Sequence, residues 1–215
     1  MMIQLNNITK SFGDRVIFKD YSLVIPQNSF TVISGASGSG KSTLLNMIGL
    51  LDIPDCGNIK ILDYQNVKPF SLQATQILRN HIGYLFQNFA LVPEKSVLYN
   101  LNIALDSVKV KNKKERVRDA LQKVGLEGFE NKMVYQCSGG EQQRIAIARL
   151  LLKPCEIILA DEPTGSLDDY NKHIIFSLLK ELQTLGKTLV VVTHDPDLIA
   201  LADHVVDLNV LTRVQ

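Results

Sequence analysis

The pattern of apolar and polar positions changes twice along the chain. Near the start it alternates loosely: Ile3 and Leu5, then Val16-Ile17-Phe18, then Leu23-Val24-Ile25, with Gly13-Asp14 as turn residues. Such spacing predicts short strands joined by turns. Residues 30–34 form a continuous apolar, β-branched run ending at Gly35, which predicts a buried strand. A helix is expected over 41–51, a turn at Pro54-Asp55-Cys56-Gly57, and strands over 58–62 and 82–86.

From residue 87 to 153 the pattern reads largely as helices, with few β-branched runs. Its basic portion, 109–118, reads as a solvated helix face, with attraction to anionic lipid as the competing reading. From Glu156 strands and helices alternate again. Ile157-Ile158-Leu159-Ala160 and Leu189-Val190-Val191-Val192 read as buried strands. Between them Ile174, Ile175, Leu178, Leu179 and Leu182 fall at helical spacing, closed by Gly186. Asp195-Pro196 reads as a helix cap followed by a proline in the first turn. The picture is an α/β chain: a parallel-sheet core interrupted by a helical insertion.

Composition narrows this. With 215 residues, 46% apolar and 21% charged, the chain can bury the core of one domain, or of one domain with a subdomain. A formal net charge of +1 gives no global reason to expect a nucleic-acid partner. Cys56, Cys137 and Cys155 are isolated and odd in number, which argues against a disulfide framework and for a reducing compartment. The first ten residues lack the apolar core of a signal peptide, and no apolar run reaches about 18 residues. Any membrane part is therefore expected from another chain.

The chemistry sits at the ends of the predicted strands. Gly35-Ala36-Ser37-Gly38-Ser39-Gly40-Lys41-Ser42 matches the P-loop pattern in full, with a strand before it and a helix after it, and Thr43 follows. Glycines let successive N–H groups turn inward as an anion nest, and the following helix adds the positive end of its dipole. Lys41 is expected on the β- and γ-phosphates and the Ser42 hydroxyl on Mg²⁺. The strand 157–160 ends in Asp161 and Glu162. Asp161 is expected to help hold Mg²⁺, and Glu162 to orient and polarise the attacking water.

Ser138-Gly139-Gly140-Glu141-Gln142-Gln143-Arg144 and the apolar run after it resemble the signature of the ABC (ATP-binding cassette) ATPases. The resemblance extends over most of the chain, from Ile3 to Leu208. It implies a P-loop NTPase core (1–86 and 154–215) with a parallel sheet and an N-terminal antiparallel β subdomain, and a helical subdomain over 87–153. It implies that Gln87 is the Q-loop glutamine and a metal contact, Ser166-Leu167-Asp168 the D-loop, His194 the switch histidine, and Phe12 an aromatic stacked on adenine. Three departures stand out: Cys137 replaces the leucine before the signature serine, Glu141 replaces the commoner glutamine, and the D-loop has Ser166.

The resemblance also implies ATP and Mg²⁺ as ligands and a head-to-tail homodimer, with ATP held between the P-loop of one copy and Ser138–Glu141 of the other. It implies an integral membrane permease as partner, docked near 89–101, and a place on the cytoplasmic face of the membrane. The sequences 44–52 and 86–94 resemble the branch that serves lipoprotein release, macrolide efflux and bacteriocin export. The expected function is thus an ATPase subunit powering export or extraction of a peptide, lipoprotein or hydrophobic compound. The alternative is a cassette of the same fold that transmits force or a signal, as in cell division.

Overall fold

The computed structural model describes residues 2–106, 111–165 and 167–209. The chain opens with strands β1 (Ile3–Phe12) and β2 (Arg15–Ile25), paired antiparallel across the Gly13-Asp14 turn. They are longer than the loose alternation suggests, because register shifts within the pair break the period without ending the strands. Then come β3 (Phe30–Ser34), α1 (Lys41–Ile48), β4 (Cys56–Ile61), β5 (Tyr64–Gln65), α2 (Leu72–Asn80) and β6 (Ile82–Leu85). Three helices follow: α3 (Val97–Leu105), α4 (Lys113–Lys123) and α5 (Gly139–Leu152). The chain ends as β7 (Ile157–Asp161), α6 (Asp169–Thr184), β8 (Thr188–Val192), α7 (Pro196–Ala200) and β9 (His204–Asp207).

Two sheets result. One is antiparallel, in the order β2-β1-β4-β5; the other is parallel, in the order β6-β7-β8-β3-β9. The parallel strands are apolar on both faces because both faces are covered. Phe30, Val32, Ile158, Ala160, Leu189 and Val191 pack with α3–α6. Their alternates Ile33, Ile157, Leu159, Val190 and Val192 pack with α1 and with Ile3, Leu5 and Ile25 of the antiparallel sheet. Truncating one of these fully buried side chains, Leu159→Ala for example, costs about 2–5 kcal/mol.

Several boundaries move. Helix α1 stops at Ile48, not at residue 51. Leu50 takes a left-handed φ of 56°, its N–H donates to Met47 O, and Leu51 N–H donates to Asn46 O. That is a Schellman closure with a leucine where glycine is usual. The turn at 54–57 ends early, since β4 begins at Cys56. Elements α2, β5 and β9 have weak sequence signals. Helix α2 buries only Ala74 and Ile77, and β9 is a largely exposed edge strand. Lys109 and Val110 of the basic stretch lie outside the described residues. In α4 itself Val117, Ala120 and Leu121 are buried, while Lys113, Lys114 and Arg118 are exposed. Among the described residues no helix is long and apolar enough to cross a membrane.

Candidate active site

The phosphate loop leaves β3 at its C-terminal end and enters α1. Gly40 stands at the helix start with φ 98°, and no side chain caps the helix. A Cβ at Gly40 would lie 2.5 Å from Ile17 Cγ2 and 2.9 Å from Phe18 Cζ, so only glycine fits there. Lys41 Nζ curls back inside the loop, donating to Gly35 O at 2.7 Å and Ala36 O at 2.9 Å.

A cavity of about 720 Å³ opens over this loop. Gly35, Ala36, Ser37, Gly38, Gly40, Lys41, Ser42 and Thr43 line it, and so do Phe12, Gln87, Asp161, Glu162 and His194. Ser39 is the exception within the loop. Its buried hydroxyl has no hydrogen-bond partner among the described residues. Phe12 ends β1 on the rim, 53% exposed, with Lys10 Nζ 5.1 Å from its ring centroid.

The acids come in on β7. Asp161 is its last residue, and its carboxylate accepts a hydrogen bond from the Ser42 hydroxyl. Burial and the neighbouring Glu162 push the Asp161 carboxyl above its usual range, against the opposing pull of Ser42 and Lys41. Glu162 follows in a left-handed conformation, φ 44°, uncommon for a side chain of this size. Its N–H is held by Val192 O at 2.9 Å. Its Oε2 accepts from the Thr193 hydroxyl at 3.2 Å, and its Oε1 lies 2.9 Å from His194 Nδ1. The carboxylate is thus aimed by groups at the end of β8.

The donor set also fits a hard cation. Ser42, Asp161 and Gln87 supply a hydroxyl, a carboxylate and an amide oxygen around one cavity. Among the described residues no cluster of three or more His, Cys, Asp or Glu could hold a metal alone. That sparse set matches Mg²⁺ binding, in which substrate phosphates and water complete the shell.

The residues 138–141 lie elsewhere. None of them lines the cavity. Ser138 is the N-cap of α5: its Oγ accepts from Glu141 N at 3.3 Å, and Glu141 Oε2 accepts from Ser138 N at 2.7 Å. This reciprocal capping box is legible in the Ser-x-x-Glu spacing. A Cβ at Gly140 would lie 2.3 Å from Asn171 Oδ1, so the helix start sits hard against α6. Arg144 donates to the same Asn171 oxygen at 2.7 Å, and Gln143 donates to Pro163 O at 2.7 Å. Leu167 packs on the core, and Asp168 caps α6 by accepting from Asn171 N at 2.8 Å. Ser166 lies outside the described residues.

The family described as ABC transporter matches residues 18–165. The chain belongs to this family. It is 41% identical over 217 residues to the lipoprotein-releasing system ATP-binding protein LolD of Bacteroides fragilis (strain YCH46), covering 98% of this chain and 100% of that relative. It is 38% identical to the macrolide export ATP-binding/permease protein MacB of Escherichia coli over 96% of this chain, but spans only 33% of that longer protein. A dimeric structure of a post-hydrolysis state of the ATP-binding cassette MJ0796, bound to ADP and Pi, superposes with TM-score 0.85 and 38% identity, covering 96% of this chain and 94% of that one. The chain is accordingly an ABC ATPase that binds ATP.

Within this ABC cassette, contacts that motif reading missed hold the site. Arg15 Nη2 donates to Gly38 O at 2.8 Å and lines the cavity. Its signal is faint: an arginine three residues after Phe12, past a Gly-Asp turn. The Asn209 side chain accepts from Ala36 N at 2.7 Å, which nothing local foretells. Arg149, on α5, donates to Ala90 O at 2.6 Å and to Phe89 O at 3.0 Å. The segment after Gln87 is thereby tied to the helix that begins at Ser138. Of the expected docking stretch 89–101, Val97 and Leu101 are fully buried, whereas Ala90, Val92 and Tyr99 are exposed.

Proposed function

We propose that this ABC ATPase powers a membrane permease by closing as a head-to-tail pair on ATP and opening after hydrolysis. The observation that carries the proposal is the division of its phosphate-facing groups. The P-loop, Gln87, Asp161, Glu162 and His194 share one cavity, while Ser138–Glu141 stand outside it. A single copy therefore leaves its second anion-type helix end without a substrate, and a second copy supplies one.

In this reading Lys41 and the N–H groups of the P-loop hold the β- and γ-phosphates. Ser42, Asp161 and Gln87 would hold Mg²⁺, which when bound neutralises charge on the phosphate oxygens. Glu162 aligns a water against the γ-phosphorus and takes its proton. The new P–O bond forms as the bond to the β–γ bridging oxygen breaks, and that oxygen leaves with ADP. His194 and Thr193 hold the Glu162 carboxylate in place during this step. Phe12 offers a ring to the adenine. Leu167 and Asp168, with Ser166, carry contacts between the copies.

Residues 87–153 act in this proposal as a subdomain that reports the nucleotide state to the permease. A groove of about 620 Å³, lined by Tyr84, Phe86, Ala90, Ile103, Asp106 and Arg149 among others, supports docking of a permease helix on the cytoplasmic face. The similarity to lipoprotein-releasing and macrolide-export proteins favours export or extraction of a peptide, lipoprotein or hydrophobic compound.

The test is Glu162→Gln. The amide keeps the shape but cannot take the proton. Hydrolysis should fall by roughly 10²–10⁴-fold while ATP binding persists. Light scattering should then show an ATP-dependent dimer. Wild-type turnover in this variant, or a monomer at saturating ATP, would sink the proposal.

A further inference from the structure

The helix end at Ser138 carries a carboxylate, and the structure sets a lysine against it. Lys132 Nζ lies 3.3 Å from Glu141 Oε1 and 3.2 Å from Oε2. Both side chains are largely withdrawn from solvent, at 30% and 21% exposed. The lysine is delivered by its backbone. Val97 N–H donates to Lys132 O at 2.9 Å, Met133 bridges Ser96, and Val134 N–H donates to Lys95 O at 3.1 Å. Its Nζ also stands 4.2 Å from the Phe129 ring centroid. Glu141 is fixed in turn by the 2.7 Å bond from Ser138 N–H. Burial raises the Glu141 acid, but Ser138 N–H, Lys132 and Arg144 outweigh it and hold the carboxyl below its usual range.

A fixed carboxylate in the first turn suits the helix dipole and opposes an incoming phosphate. Ser138 Oγ and the adjoining N–H groups are the donors that a second copy's triphosphate would meet, and Glu141 sits among them. We infer that Lys132 is a positioning residue of the ATP-closed dimer: it cancels the Glu141 charge, so that the Ser138 helix end accepts a triphosphate while keeping its capping bond. The inference rests on the dimer reading above. It assigns a task to a residue that belongs to no nucleotide motif.

The experiment measures ATP-driven dimerisation by light scattering in the Glu162→Gln protein, at about 50 mM and about 500 mM salt, where screening differs strongly. Lys132→Met keeps the stem against Phe129 and removes the charge. It should raise the ATP concentration for half-maximal dimer by roughly three- to tenfold at low salt, as expected for one unbalanced charge several ångströms from a phosphate in a wet interface. The shift should shrink at high salt. Lys132→Arg should restore dimerisation. Glu141→Gln keeps an oxygen for Ser138 N–H and removes the repulsion, so adding Lys132→Met to it should change nothing beyond about twofold.

Two results overturn the inference. One is a Lys132→Met protein that dimerises like its parent at low salt. The other is an equal loss with Glu and with Gln at position 141, which makes the lysine a packing residue only. If the Glu162→Gln parent itself stays monomeric with ATP, the dimer reading fails first and takes this inference with it.

Discussion

Two helices of this cassette begin in loops that the proposed function turns toward phosphate, and they are prepared differently. Helix α1 starts at a left-handed glycine, has no side-chain cap and no acid in its first turn, and carries Lys41 as its first residue. Helix α5 starts at Ser138, closes its own N-terminus with a capping box, and carries Glu141 in its first turn. The first end is open and positive; the second is partly satisfied by its own chain. An anion gains a full set of unmade bonds at α1. At α5 Ser138 Oγ and Glu141 already serve two of the N–H groups, those of Glu141 and Ser138, so fewer donors are left for an anion. In the proposed cycle this difference puts ATP affinity at the P-loop and makes the signature end a conditional site, which contributes only when a partner brings a phosphate already held elsewhere.

The harshest test of that contrast is Lys41→Ala. It removes the one cation that the P-loop itself supplies to the cavity. Turnover should fall by on the order of 10²–10³-fold, with ATP binding by the single copy weakened as well. Normal turnover in a purified, folded variant would mean that the open end at α1 is not where the triphosphate sits.

Ser138→Arg separates the two ends. Monomer ATP binding, read by fluorescent nucleotide titration, should match the parent. The ATP-driven dimer of Glu162→Gln should disappear, because bulk now fills the place meant for the second copy's phosphate. A persistent dimer in Glu162→Gln/Ser138→Arg would show that α5 plays no part in closure. Loss of monomer binding would show that the two ends are not independent.

Gly140→Ala asks how tightly the second end is built. The new Cβ would collide with Asn171, which Arg144 and Asp168 already hold. Overpacking of this kind costs about 1–3 kcal/mol. For a chain of this size that lowers the melting temperature by roughly 2–4 °C per kcal/mol. An unchanged melting curve would mean that the α5–α6 contact yields freely, and the picture of a rigid, self-capped helix start would need revision.

The two regions also differed in how well the sequence disclosed them. The first is written in consecutive residues: strand 30–34, loop 35–40, helix from Lys41. Each element follows from local pattern, and the structure starts each one at the expected residue, although α1 ends three residues early at Ile48. The partners that finish it come from far along the chain. Thr193 and Asn209 reach it through sheet order, which places β3 between β8 and β9, and Arg15 comes from the start of β2 in the antiparallel sheet. No window of periodicity contains that order. The second region was named by its motif, but its physical state was not. That Glu141 closes the helix on itself was legible in the spacing. That Lys132 meets Glu141, and Asn171 meets Gly140, depends on loop paths and on the packing of α5 against α6. Weak elements escaped for a plainer reason: α2 and β9 bury too little to leave a periodic trace.

The smallest expected effect concerns Cys137, directly before Ser138. A cysteine ahead of a helix start can be driven toward thiolate by the dipole. Here the opposite holds. The thiol is buried, its Sγ lies 3.7 Å from Met133 O, and burial pushes its pKa up. Lys132 pulls the other way and Glu141 adds to the rise. With the folded pKa above the ordinary value, the protonated form prevails at neutral pH, and the reactive thiolate grows only as pH climbs toward the raised value. In a Cys56→Ser/Cys155→Ser protein, maleimide should therefore label Cys137 slowly at pH 7, faster at higher pH, and fully after denaturation. ATP should change that rate little, because burial already protects the sulfur. Cys137→Leu, which restores the residue common at this position, should leave dimerisation within about twofold, the thiol being a small packing group. Rapid labelling at pH 7 that ATP suppresses would place the sulfur at an open, mobile helix start, and would overturn the contrast between a closed α5 end and an open α1 end.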